Sequence, residues 1–243
     1  MKPTYKISSP ETGTEYVIYV EVPKESAGPW PVMLFMDGDD QFSAALAAYR
    51  EQLAAGTVPP VLMIGVGYGA GYSKQANKRG RDYTPTAHSD EPTSGGAALF
   101  MKFLTNTFWP DLTRRYPVDD KRRGIAGHSL GSLFVLYALW QEPLFFTHYL
   151  ASAPSIWWDN RSILEIAAKR HARNHTLPVR LFLSVGEKDS ESMTGDLSLL
   201  QLQLTAKPFS GFDVTCRIFA RRTHFNVLPD AFGTGLAFLL GKS

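Results

Sequence analysis

Polar and apolar residues alternate near the start of this chain, through Tyr5–Ser8 and again through Tyr16–Val22. A period of two on either side of the turn-forming run Pro10-Glu11-Thr12-Gly13-Thr14 predicts an antiparallel hairpin. Further along, the apolar positions run together instead. Val32–Met36, Val61–Val66, Gly124–Ala126 and Val179–Val185 predict strands buried on both faces. Between and after them, stretches of helical length fall at Phe42–Leu53, Gly96–Arg115, Ser132–Leu139, Ile163–Arg173, Gly195–Ala206 and Leu228–Leu240. Strand and helix in alternation predict an α/β fold with a mostly parallel central sheet and helices on both faces. Gly67–Gly96 carries no clear element, and a loop of that length in such a fold is expected to wall a substrate site.

With 243 residues, 44 % of them hydrophobic, the chain can bury a large core, and one domain over 1–243 is expected. A net charge of +2, with basic residues interspersed among acidic ones, argues against a surface that tracks nucleic-acid phosphates. The expected partner is a small molecule, and the expected state a monomer or small homo-oligomer. Cys216 is the single cysteine, which excludes an internal disulfide and a cysteine-based metal site. It lies in a strand-like run, so a buried structural thiol is expected, in keeping with a reducing compartment. Met1–Lys6 lacks the apolar core of a signal peptide, and no apolar run reaches bilayer-spanning length. No membrane association is expected, and cytoplasmic residence is.

The stretch that carries chemistry is Gly127-His128-Ser129-Leu130-Gly131. It sits where the buried run Arg123–Ala126 gives way to the apolar helix beginning at Ser132, the setting of a nucleophile elbow. Small flanking residues let strand and helix approach closely enough for Ser129 to project from a crowded turn. In that setting the acid and then the histidine follow the serine in chain order. Of the later histidines, His224 lies in a loop before the last helix, whereas His171 and His175 belong to a polar, solvated helix face. His128 is expected to pack or hydrogen-bond beside the nucleophile. Val179–Val185 leads into Gly186-Glu187-Lys188-Asp189-Ser190-Glu191, whose carboxylates compete for the acid role. Asp189 is favoured and Glu187 is the alternative. An oxyanion hole would draw on the backbone amides of Leu130 and Asp39, although Asp37 and Asp39 equally suit helix capping.

Several motifs together resemble those of the esterase family of α/β-hydrolases, and within it the enterochelin (catecholate siderophore) esterases of the short, catalytic-domain-only type. They are Phe35-Met36-Asp37-Gly38-Asp39, Arg81-Asp82-Tyr83-Thr84-Pro85-Thr86, Gly95-Gly96 with Phe103-Leu104, the Ser129 elbow, and Ser152-Ala153-Pro154-Ser155-Ile156-Trp157-Trp158. The resemblance implies the α/β-hydrolase fold and carboxylester hydrolysis through an acyl-serine, with Ser129 as nucleophile and His224 as base. It implies no metal and no organic cofactor. Ser132 stands where many such proteins have a second glycine. A catecholate substrate needs a site for an anionic ring, and Lys74, Lys78, Arg79 and Arg81 cluster in the long loop. Arg81 and Tyr83 are the expected substrate contacts there, with a structural role for Arg81 as the competing reading. Trp157 and Trp158 suit an aromatic platform, one of them alternatively belonging to the core. Other readings are a feruloyl or acetyl esterase acting on carbohydrate esters, an acyltransferase, and a binding module without catalysis.

Overall fold

A computed structural model describes residues 4–24 and 26–241; Met1–Pro3, part of the stretch read above for a targeting signal, lie outside them. Among the described residues one sheet of eight strands runs through the molecule. In chain order these are β1 (Tyr5–Ser8), β2 (Glu15–Glu21), β3 (Trp30–Phe35), β4 (Leu62–Gly67), β5 (Val118–His128), β6 (His148–Ser152), β7 (Arg180–Gly186) and β8 (Asp213–Phe219). Their order across the sheet is β1-β2-β4-β3-β5-β6-β7-β8. β1 and β2 form the expected antiparallel hairpin, with Tyr5 opposite Ile18, and β2 lies antiparallel to β4. All later pairings are parallel.

Pleating sorts the strand side chains into two apolar layers. Val32, Leu34, Ile64, Tyr149 and Leu183 face α3 (Ala97–Lys102), α4 (Trp109–Arg115), α5 (Leu130–Leu139), α6 (Trp158–Arg173) and α7 (Glu191–Ala206). Met33, Phe35, Met63, Leu150 and Phe182 face α1 (Gly38–Ala54) and α8 (Leu228–Leu240). Helices on both faces therefore bury β3 and β4 throughout and β5 from Gly124 onward, and each buried phenylalanine contributes roughly 1.5–3 kcal/mol. The expected helix Gly96–Arg115 is present and continuous from Ala97 to Arg115, with its winding changed part-way along. Pro110 has no N–H for the ladder, and the chain passes into α4 through a π-helical turn, Phe103–Phe108. β6 was not among the expected strands, and β8 was expected only as the strand-like run around Cys216. The five residues of β6 read His-Tyr-Leu-Ala-Ser, and β8 is an edge strand with mostly exposed or half-buried positions. Cys216 is half-buried on β8, and burial pushes its thiol up to about 11.

The long loop is anchored by a short helix, α2 (Arg79–Asp82). Asp82 is fully buried and accepts hydrogen bonds from Tyr16 Oη at 2.7 Å, Tyr68 Oη at 3.1 Å and Arg81 Nε at 2.7 Å. Burial pushes its carboxyl up, and the arginine and tyrosine donors oppose that rise. One carboxylate thus ties the loop to both β2 and the end of β4. Asp82→Ala, which takes the shared acceptor from Tyr16, Tyr68 and Arg81, is expected to lower unfolding free energy by about 3 kcal/mol, against about 1 kcal/mol for Tyr16→Phe, as read by urea denaturation.

Candidate active site

β5 runs straight into Ser129, where the chain reverses into α5. Ser129 sits at φ 59°, ψ −124°, a backbone state costing an L-residue on the order of 1–3 kcal/mol. Close contact on both sides holds it there. A Cβ on Gly127 would fall 2.4 Å from the carbonyl carbon of Gly131, and a Cβ on Gly131 would fall 3.0 Å from Asp37 Oδ2. The Ser129 amide donates to Ser152 O at 3.0 Å, tying the turn to the end of β6. Ser132 adds a brace the sequence did not advertise: its hydroxyl lies 2.6 Å from Gly127 O and 2.7 Å from Ser152 O.

Two loops converge beside the elbow, one after β7 and one after β8. They touch backbone to backbone, with Lys188 N donating to Arg222 O at 2.8 Å and Glu187 N to Phe219 O at 2.9 Å. Within this pair of loops the carboxylates divide their contacts. Glu187 accepts from the amide of Arg221, at φ 61°, and so shapes the second loop. Asp189 faces His224 instead, Oδ2 to Nδ1 at 2.9 Å, and its other oxygen accepts from Ser190 N, the N-cap of α7. The Asp189 side chain is almost wholly buried and that of His224 a quarter exposed.

His128 lies behind His224, the ring centroids 4.5 Å apart. Its Nδ1 is 3.2 Å from Ser152 Oγ, and the ring also hydrogen-bonds with the His224 backbone. Burial, then the neighbouring His224 and Arg79, push its pKa down to about 3, so it packs here as a neutral ring. The Ser129 hydroxyl rests 3.4 Å from Ser155 Oγ and makes no hydrogen bond to His224 among the described residues. Catalytic hydrogen bonds are often unformed without substrate.

Ser129 and His224 open onto a cleft of about 270 Å³ walled by Ser155, Trp157, Met193 and Phe225. It continues into a recess lined by Gln41, Tyr72, Arg79 and Leu228. The recess corrects the substrate-contact expectations. Arg81 points away, to Asp82, Thr12 O and Thr14 Oγ1, whereas Arg79 lines the recess. Tyr83 is fully buried and accepts a hydrogen bond from Asp37 N. Trp158 is buried too, its Nε1 donating to Thr86 O, while Trp157 is 46 % exposed in the cleft wall. Tyr72 and Phe225 carry no motif that would single them out, and Ser155 lies in the Ser152–Trp158 motif without a role assigned to it.

Arg79 grips buried Asp37 side-on, Nε to Oδ1 at 2.9 Å and Nη2 to Oδ2 at 3.0 Å, and lies 4.5 Å over the Tyr72 ring. Burial alone would lower its pKa; the Asp37 carboxylate reverses that and holds the guanidinium charged. Neither candidate cap of α1 acts as one. Asp37 occupies the N-cap position without a side-chain cap bond, and Asp39 accepts from Tyr68 N, Gly69 N and Tyr19 Oη. The Asp39 amide itself belongs to the first turn of α1, where leading N–H groups lack intrahelical acceptors. The Leu130 amide stands in the same position at the start of α5. Among the described residues no cluster of three or more His, Cys, Asp and Glu could hold a metal ion, and no helix is long and apolar enough to cross a membrane.

A family model described as "Putative esterase" matches residues 9–208. The ferri-bacillibactin esterase BesA of Bacillus subtilis is 30 % identical, the match covering 96 % of this chain and 88 % of that protein. The apo-salmochelin esterase of Escherichia coli is 25 % identical over 94 % of this chain and 76 % of its own length. In structure, the BES protein from Bacillus cereus superposes with a TM-score of 0.88 at 28 % identity, covering 98 % of this chain and 94 % of that one. The chain belongs to this esterase family and is a carboxylic ester hydrolase on an α/β-hydrolase fold.

Proposed function

We propose that this chain hydrolyses the ester bonds of a catecholate siderophore through an acyl-serine intermediate. The observation that carries the chemistry is the 2.9 Å contact between Asp189 and His224 in the cleft onto which strained Ser129 opens. Relatives named for ferri-bacillibactin and apo-salmochelin support the substrate class, one name iron-bearing and the other iron-free.

In this mechanism Asp189 accepts a hydrogen bond from the Nδ1–H of His224, which fixes the tautomer and leaves Nε2 free as a base. Ser129 rotates from Ser155 toward His224, gives up its proton to Nε2, and its oxygen bonds to the ester carbonyl carbon. The amides of Leu130 and Asp39 donate to the oxyanion. The carbon–oxygen bond to the leaving alcohol then breaks as His224 returns the proton to it. Water, deprotonated by His224, attacks the acyl-serine and releases the carboxylic acid, with Ser129 taking the proton back. Arg79 suits the catecholate part. Its planar fork matches vicinal oxygens, and its pairing with Asp37 makes it an oriented donor rather than a free cation. Trp157, Phe225 and Tyr72 offer ring faces for the aromatic acyl groups.

The deciding assay is chromatographic turnover of a triscatecholate trilactone, iron-free and iron-loaded, beside a feruloyl-sugar ester and a short aryl acetate. Preferred trilactone cleavage is expected; aryl acetate turnover without it would reject the siderophore substrate. Ser129→Ala and His224→Ala should each lower kcat by about 10⁴-fold or more, with near-normal rates in either rejecting the mechanism. Asp189→Asn should cost far more kcat than Glu187→Gln, and the reverse ranking would transfer the acid role to Glu187. Arg79→Lys should raise KM for the trilactone by about tenfold while shifting that for the aryl acetate little. Equal changes would make Arg79 purely structural.

A further inference from the structure

The segment that carries Trp157 contains a run of unusual backbone. Asp159, Asn160 and Arg161 stand at φ 42°, 52° and 65°, with ψ of 64°, 36° and 34°, one complete left-handed turn at the head of α6. Such a turn crowds each Cβ against the following carbonyl. Asp and Asn are the side-chain-bearing residues that best tolerate this state, and arginine has no such ease. Arg161 is also the residue of the three that is clamped. Its Nε lies 2.6 Å from Oδ1 of Asp196 on α7, a carboxylate whose side chain is only 2 % exposed. The second oxygen of Asp196 is buried without a partner among the described residues, which leaves Arg161 as the group that answers this buried charge.

The flanks of the turn are anchored as well. Trp158 donates to Thr86 O at 3.2 Å, and Ser162 Oγ lies 3.2 Å from Thr86 Oγ1, so both sides are held to the long loop. Trp157 lies two residues ahead of Asp159, with Trp158 between them, in ordinary helical geometry and with its ring in the cleft beside Ser129 and His224. Were the turn to relax to the right-handed state, the direction of the chain ahead of it would change and Trp157 would be carried round with Trp158. We infer that the Arg161–Asp196 ion pair is a latch that fixes Trp157 in the cleft wall, making Arg161 a positioning residue for bulky aromatic esters; this rests on the reading above only for the identity of the ester.

A double-mutant cycle tests it. Arg161→Ala is expected to raise KM for the trilactone about tenfold and to change kcat for methyl acetate by less than about twofold. In a Trp157→Ala background it should add nothing. Arg161→Gly combined with Asp196→Asn should recover most of the lost affinity, since glycine adopts the turn unaided and no charge is left buried. Asp196→Asn alone, nearly isosteric, should reproduce the Arg161→Ala signature and serves in its place if that variant does not fold. An unchanged KM in these single variants, or an undiminished effect without Trp157, would overturn the latch. A wild-type enzyme that cleaves no trilactone would reject the siderophore reading alone, and the same cycle would then be read on 2-naphthyl acetate against methyl acetate.

Discussion

The cleft depends on how closely two backbones approach at Gly127 and Gly131. With 2.4 Å between the site of a Gly127 Cβ and the Gly131 backbone, no larger residue fits. That contact forces Ser129 into its strained turn and pushes its hydroxyl beyond the strand ends. It also brings the start of α1 against the start of α5, because Asp37 lies on the other side of Gly131. Two helix N-termini, each with leading amides free of intrahelical acceptors, thereby meet beside Gly131, two residues after Ser129. A wider gap at this one point would separate strand, elbow and helix start together.

The second organising element is the buried pair of Asp37 and Arg79. Asp37 is wholly buried at the head of α1, and burial pushes its carboxyl up, with the guanidinium beside it opposing that rise. By reaching across from the long loop to answer that charge, Arg79 takes its final orientation when the protein folds. Its flexible side chain loses its freedom then and not on meeting a ligand. The loop that looked structureless is therefore pinned at Asp37 and Asp82, and the recess it walls is largely preformed.

Much of this was readable in the residues, for reasons that also explain what was not. The elbow, the hairpin and the doubly buried strands announce themselves because each follows from local composition and period. The strand β6 does not, since its short mixed run His-Tyr-Leu-Ala-Ser is made into a strand by the slot between β5 and β7. Arg79 and Arg81 are two positions apart on one helical turn, about 200° around its axis, so one faces the recess and the other the N-terminal hairpin. No spacing rule says which. Trp157 and Trp158 diverge similarly, as neighbours just ahead of the left-handed turn Asp159–Arg161. For Glu187 and Asp189, orientation relative to His224 depends on a contact with Arg221, 34 positions beyond Glu187.

Phe225 is 85 % exposed at the cleft mouth, next to the ring of His224, and Trp157 stands half-open across from it. A site bordered by bare aromatic surface gains affinity by covering that surface with a large ligand; it has little with which to turn a small one away. Such an enzyme discriminates by adhesion and not by sieving. It would hydrolyse small, reactive esters as bystanders whenever its preferred partner is scarce, and turnover of a generic ester would then measure the competence of the serine without revealing what the cleft is for.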